Sequence, residues 1–492
     1  MANSNLFDRL VEAVSPERGI RRAQARMALD LVRKYEAAEN NRRTSGWKAG
    51  SGSANAEVID SLVALRNRAS QQVRDNEYAK AAIRALRTHI VGTGITVIPA
   101  LKAERETWRK WTEEECDADG QLDLAGLSSV GVNTWKERGE LIVRRRWRRV
   151  EDGFTIPMQI QLLEPDHLDH TKTVIGDNGN AIIAGVEYDL LGRRVAYWLF
   201  PEHPGEMLVL RRGGLVSKRV PASEVLHIYR KDRVSQVRGV PELAVSLMRM
   251  RDLKGYEEAE LVRKKIEACF TAFVTTDSPR KTVGELQKQT DGRVAEKLAP
   301  GLIKYLTEGE SVTFGTPSSV GGYGEYTTAQ LHAIAAGAGV TYSQLTGDTS
   351  RSNYTSHRAG LREFYALVDQ EQWLTWIPMF VRPVRRWFRE AAELAGQRIG
   401  TGPDAITTPR KAMVDPLKDT MADKEEVRGG LATWFEKLRE RGINPEDHID
   451  ELVRIKQLLA DSGLVLDTDA GVSELKLTPQ QVLALDGQQP AA

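Results

Sequence analysis

The chain has 492 residues, 41% of them apolar and 28% charged. This is ordinary globular composition, which excludes disorder throughout and leaves room for roughly three domains of about 150 residues. Lys and Arg total 69 against 68 Asp and Glu, so the basic excess of a protein that grips DNA by its phosphates is missing, and any DNA contact is local or weak.

Residues 1–36 are charged and Ala-rich, and Leu6, Leu10 and Val14 predict a short amphipathic helix. The start MANSNLFDRL lacks a basic-then-apolar leader, so no signal peptide is expected. Residues 37–55 (AAENNRRTSGWKAGSGSAN) are polar and predict a loop or arm carrying Trp47. Residues 56–90 predict one helix, striped by Val58, Leu62, Leu65, Val73, Ala81, Ala85 and His89 and ended at Gly92-Thr93-Gly94; 104–118 predict another, with Trp108 and Trp111. From about 125 to 230 the period shortens to two, and GELIVRRRWRRV, MQIQLLEP, AGVEYDLLGRRVAYWLF and EVLHIYR predict strands, with a hairpin turn at Gly192.

A long helix is expected to start at Pro241 and run to Ala272 through Leu253, Ala259, Val262, Ile266 and Phe270, with Gly255 as a bend. At about 1.5 Å per residue it would span about 48 Å. Residues 277–325 predict a short helix near 282–297, the strands GLIKYL and SVTFG, and a Gly-rich loop. Residues 327–345 return to helix, 347–356 (GDTSRSNYTS) form a polar loop, and 357–395 predict a helix kinked or broken at Pro378 and Pro383. Two amphipathic helices are expected over 418–440 and 445–460, with Gly442 ending the first and Asn444-Pro445 starting the second, before a frayed tail. Cys116 and Cys269 read as free thiols in a reducing compartment. No run of about 18 apolar residues exists, so no transmembrane helix is expected.

Five strings, in this order and spacing, resemble the lambda-type bacteriophage portal family: NEYAKAAIRALRTHIVGTGI (76–95), RGELIVRRRW (138–147), QLLEPDHLDH (161–170) with the AGVEYDLLGRRVAYWLF and HPG segments after it, VLHIYR with QVRGVPEL (225–243), and IAAGAGVTYSQLTGDTSRSNYTSHRAGLREFY (334–365). The resemblance covers roughly residues 40–440. It implies an α+β fold that assembles into a ring of about twelve copies, a DNA channel at a capsid vertex. It also implies a division into an N-terminal arm (1–55), wing (56–240 and part of 357–410), stem helices (241–274 and 326–346), clip (275–325), tunnel loop (347–356), crown (411–480) and tail (481–492). The implied partners are double-stranded DNA bound without sequence preference, a terminase large subunit, capsid or scaffold protein and head-completion protein. No catalytic site, cofactor or membrane is implied. The near-zero net charge suits a channel through which DNA slides, since each strong phosphate contact would be a barrier to the next step.

Ser350, Arg351, Ser352 and Asn353 are the channel candidates: a cation, hydroxyls and an amide touch phosphates without reading sequence, whereas the bland reading is an exposed turn. Arg144, Arg145, Arg146, Trp147, Arg148 and Arg149 invite a nucleic-acid reading, but alternation puts Arg on both faces of the strand. Pairing with acidic neighbours or a subunit interface accounts for them better. His167, His170, Asp166 and Asp169 lack further ligands at metal-site spacing. Gly92-Thr93-Gly94 is followed by Val97 where a dinucleotide loop needs Gly, and neither Gly337 and Gly339 nor Gly321, Gly322 and Gly324 precede Lys-Ser/Thr, so ATP hydrolysis must come from a partner. The alternative readings are a DNA-processing enzyme such as a nuclease and a non-enzymatic adaptor.

Overall fold

The computed structural model describes residues 45–46, 50–206, 216–268, 272–276, 285–288, 294–297, 310–314, 322–350, 353–411 and 415–463. Expectations for the first helix, Trp47, Cys269, Phe270 and GLIKYL fall outside these residues. The chain divides into two units, Met1–Ser53 and Ala54–Ala492, and the helices and strands named here all belong to the second.

The expected single helix over 56–90 is three: α1 (Ala54–Ile59), α2 (Leu62–Asp75) and α3 (Glu77–Val91). Asn76 makes the second break, because its backbone is extended and its side chain accepts from the amides of Tyr78 and Ala79, an N-cap that begins a new helix. After β1 (Thr96–Ile98), α4 (Lys102–Lys110) passes into a wide π turn at Trp111–Glu115, then comes α5 (Leu124–Arg138). The strand-rich stretch was expected to open at about 125, and its first part is this helix instead. Asp123 caps it, and Gly131 faces Trp376 and Leu141 so closely that a Cβ there would sit 2.9 Å from both. Close packing therefore selects the helix although Gly and β-branched residues disfavour it.

β2 (Glu140–Trp147) is central to a three-stranded antiparallel sheet, between β3 (Met158–Leu163) and β9 (Val225–Tyr229). Its alternation assigns two cores. Leu141 and Val143 face the main core with Trp111, Trp135, Trp376, Phe380 and Phe388, whereas Ile142 faces a smaller core with Leu163, Val186, Tyr197 and Leu199. Over that smaller core lies a five-stranded antiparallel meander, β4 (Val174–Ile175), β5 (Ala181–Ile183), β6 (Val186–Tyr188), β7 (Arg194–Leu199) and β8 (Lys218–Pro221), with the expected turn at Gly192 (φ +76°) between β6 and β7.

The helix expected from Pro241 starts later, as α6 (Leu247–Ala268); turns precede it, with the amides of Ala244 and Ser246 donating to Pro241 and Leu243 carbonyls. At about 1.5 Å per residue it spans about 33 Å rather than 48 Å, and Ala272 begins strand instead. Gly239 explains the delay. A Cβ there would lie 2.1 Å from the Gly139 carbonyl oxygen, so this backbone is pressed against the end of α5 before α6 can begin. β10 (Ala272–Thr276) pairs with β13 (Glu310–Phe314), and β11 (Glu285–Lys288) pairs with β12 (Val294–Lys297). The helix expected near 282–297 is thus a strand pair, consistent with the Asp291-Gly292 turn signal in its sequence.

α7 (Tyr323–Ala338) ends at Gly339 (φ +67°), and a capping box between Thr341 and Gln344 starts the short α8 (Tyr342–Thr346), so the helix expected over 327–345 is two. α9 (Tyr354–Gln370), a π-helical stretch (Glu371–Val381) and α10 (Arg382–Leu394) follow without a break. Pro378 lies inside the π stretch and Pro383 at the start of α10. A wider turn and a helix start both tolerate the missing N–H, so neither proline breaks the path. β14 (Ala405–Thr407) pairs with β1. The helix expected over 418–440 is interrupted at Gly429-Gly430, giving α11 (Pro416–Arg428) and α12 (Trp434–Glu440); α13 (Pro445–Ser462) starts as expected at the Asn444 cap. The fold is α+β, and no described helix is long and apolar enough to cross a membrane.

Candidate functional site: paired helices and the loop beyond them

α6 and α7 lie side by side in antiparallel register. Ser246 meets Gly337, where a Cβ would be 2.3 Å from the Ser246 hydroxyl; Arg249 donates to Gln330; and Tyr256 stacks on Tyr323 (5.8 Å) and meets Tyr326 edge-on (4.7 Å). Leu247, Met250 and Leu253 root α6 in the main core beside Leu331, Ile334 and Ala338 of α7. Arg251 is exposed on the outer side of that root, and beyond it Leu261, Val262, Lys264 and Lys265 are exposed. Acidic residues, Glu257, Glu258 and Glu260, separate the basic group Arg249, Arg251 and Lys254 from Arg263, Lys264 and Lys265. Arg263 donates to Glu260 and holds its carboxyl below the usual range. Among the described residues, the pair of helices thus has alternating charge bands and no continuous basic track.

The loop after α8 is shorter than the expected 347–356, because α9 begins at Tyr354. Gly347 turns the chain at φ +74°, and Asp348 accepts from the Ser350 amide (2.8 Å). Ser350 is exposed; Arg351 and Ser352 lie outside the described residues. Asn353 is the α9 N-cap: its Oδ1 accepts from the Ser356 amide at 2.8 Å. The loop is therefore anchored at both ends by its own polar side chains and rooted by Leu345, buried against α3.

The arginine strand pairs within the chain. Arg145 donates to Glu224 (2.8 and 3.1 Å) and to Glu390, between the rings of Trp147 and Trp387. Arg146 donates to Gln161 and Arg148 to Gln159. The Asp/His group does not converge: His167 contacts the Phe200 carbonyl, and Asp169 accepts from Ser217 and Thr171. Instead Asp166 meets Glu164 and His203 within reach of one cation. Arg138 already donates to Asp166 and lies 3.3 Å from Glu164, so a guanidinium supplies the counter-charge there.

A buried polar junction escaped the sequence reading. Glu140 is fully buried and accepts from Arg238 (2.6–3.0 Å), His227 Nε2 (2.7 Å) and the Gly239 amide (3.2 Å). Arg238 also donates to the Ala184 and Pro165 carbonyls. Arg238 and His227 hold the Glu140 carboxyl far below its usual range against the opposing effect of burial. Burial pushes the His227 imidazole down to about 4. Arg138-Gly139-Glu140, Pro165-Asp166, His227 and Arg238-Gly239 belong to three of the family-like strings. The signal was present in the sequence, but only the fold shows that these pieces meet.

A family model described as "Phage portal protein, lambda family" matches residues 40–372, about two-thirds of the chain. A "Probable portal protein" of Halomonas phage phiHAP-1 is 27% identical over 467 residues, 87% of each chain. "Portal protein B" of Escherichia phage lambda is 23% identical over 471 residues, 83% of this chain and 86% of that one. Among solved structures, a chain from the neck of a native gene transfer agent particle, computed with C12 symmetry, aligns at TM-score 0.45 and 13% identity, covering 78% of this chain and 94% of that chain. With a match that takes in both paired helices, the buried junction and the loop after α8, the chain belongs to the lambda family of phage portal proteins.

Proposed function

We propose that about twelve copies close into a ring at one capsid vertex, that DNA enters and leaves through its centre, and that the chain performs no catalysis of its own. Family membership carries this reading, and the antiparallel α6–α7 pair supports it: two helices rooted in one core and joined by a strand-rich excursion suit a channel wall with a protruding end. On this reading residues 56–240 with part of 357–410 are the wing, 241–274 and 326–346 the stem, 275–325 the clip, and 411–480 the crown. The clip would receive the terminase large subunit and later a head-completion protein. The wing and crown would face capsid or scaffold protein, in the virion and, before that, in the host cytoplasm. The alternating charge along α6 suits DNA that passes without being held.

The loop Gly347–Asn353 would be the tunnel loop, with Ser350, Arg351, Ser352 and Asn353 brushing the phosphate backbone. Arg351→Ala is expected to leave ring assembly intact and to lower the amount of DNA packaged into heads. Loss of the ring in that variant would contradict the loop assignment. Supercoiled plasmid incubated with the protein and Mg²⁺ is expected to stay supercoiled, and conversion to nicked or linear DNA would favour the nuclease reading instead.

A further inference from the structure

α13 has two unlike halves. Its first turns are clamped: Arg105 of α4 pairs with Glu446 and lies 3.9 Å from Asp447, Lys102 pairs with Asp450 (3.2 Å), and His448 meets the ring of Trp434 at 6.0 Å. From Glu451 to Gly463 every residue is exposed except half-buried Leu459. Among the described residues, none from Leu452 to Gly463 makes a hydrogen bond or ion pair to another element. At about 1.5 Å per residue this is an arm about 18 Å long. It is not a polar arm: Leu452, Val453, Ile455 and Leu458 are 42%, 52%, 42% and 57% exposed. Leu452, Ile455 and Leu459 recur at i, i+3 and i+7, so they form one stripe. That stripe points about 165° away from Glu446, Asp447 and Asp450 at 100° per residue, on the side opposite the clamp.

The same C-terminal segment carries a second bare apolar patch. Leu417 and Met421 share a face of α11 and are 67% and 57% exposed, Leu431 is 84% exposed, and Trp434 and Phe435 are also uncovered. Of all the described residues in 416–462, only Leu438 and Pro445 are buried. Neither patch covers the other within the chain. Burying aliphatic side chains is favourable in proportion to the apolar area removed from water, so leaving both patches exposed forgoes stabilisation. Two different apolar patches on one chain are what a head-to-tail contact requires: each copy offers one to its neighbour on either side, and the contact closes without leftovers in a ring.

We infer that the arm Leu452–Ser462 docks on a second copy of this chain, its Leu452/Ile455/Leu459 stripe lying against the Leu417, Met421, Leu431 and Phe435 patch of the next subunit. The inference rests on the ring reading. It goes beyond that reading by assigning both halves of one contact and by making the arm a strap that reaches out of its own subunit. The ion pairs with Lys102 and Arg105 aim the strap, and the apolar stripe holds it.

The test places a benzoylphenylalanine photocrosslinker at position 455 of the full chain and irradiates the assembled protein. The expected result is a ladder of multiples of 54.8 kDa on a denaturing gel, with crosslinked peptides mapping within 416–435. A sample with the native mass of a ring that yields only monomer bands after irradiation, including crosslinks to residues 464–492 of the same copy, overturns the strap and leaves the ring standing. A ladder whose crosslinks map outside 416–435 overturns the pairing of the two patches. A native mass of one chain overturns the ring reading and the strap together.

Discussion

Arg66 and Arg238 are both fully buried beside Glu140, and their situations are opposite. Arg238 directs its donors to Glu140 and to two backbone carbonyls. Arg66 approaches the same carboxylate only to 3.7 Å, and none of its guanidinium nitrogens makes a hydrogen bond. A buried charge without hydrogen bonds bears the desolvation penalty with little compensation, while removing one partner of a bonded pair strands the other. Arg66→Met is therefore expected to shift stability by less than about 1 kcal/mol, and Arg238→Met to cost about 3–5 kcal/mol, both read by urea denaturation. Equal losses would contradict this description of the junction.

His227 gives the junction a pH dependence. Its imidazole is lowered to about 4 from an ordinary 6.5, because burial and the nearby Arg194 and Arg238 outweigh the Glu140 carboxylate. The unfolded chain therefore binds this proton at higher pH than the folded one. Stability is fully present above about pH 6.5 and declines as pH falls toward 4. His227→Gln is expected to flatten the melting temperature across that window, and an unchanged slope would remove His227 as the cause. Glu140 acts below that range, since its lowered carboxyl contributes stability above the ordinary carboxylate value and loses it only in stronger acid.

At the scale of elements, legibility followed locality. The alternating residues of β2, the Gly192 turn and the Asn444-Pro445 start of α13 are set by neighbours in sequence, and each formed as read. α5 was misread because its local preferences point to strand while the contact of Gly131 with Trp376, some 245 positions away, decides for helix. The start of α6 was misplaced for the same reason: the Gly139–Gly239 approach is invisible until both segments are folded. The break at Asn76 was readable, since an Asn followed by Glu is a helix-start signal, and the apolar stripe hid it. Among the four channel candidates, whose contact with DNA is a proposal, Asn353 also has local work, because the loop expected over 347–356 ends where α9 begins at Tyr354. Asn353 closes the first turn of α9, so Asn353→Ala is expected to cost about 1 kcal/mol of stability as well as any effect on packaging. A variant with unchanged stability would show that the cap is dispensable and free Asn353 for contact with DNA alone.

At the scale of the whole molecule, the chain combines a well-packed base with parts that a single copy leaves bare. The main core joins helices from α2 to α10 through Trp111, Trp135, Trp376 and Phe388. The C-terminal helices, by contrast, attach largely through ion pairs such as Arg358–Asp419, Arg105–Glu446 and Lys102–Asp450. Family membership and the bare apolar surfaces point the same way, toward a chain completed by copies of itself. The measurement that tests this most directly is the native mass of the purified protein, with negative-stain images of the same sample. About twelve copies of 54.8 kDa give roughly 660 kDa and a closed ring with a central hole. A particle of that mass with an open centre is the expected result. A stable single chain of 54.8 kDa would contradict it.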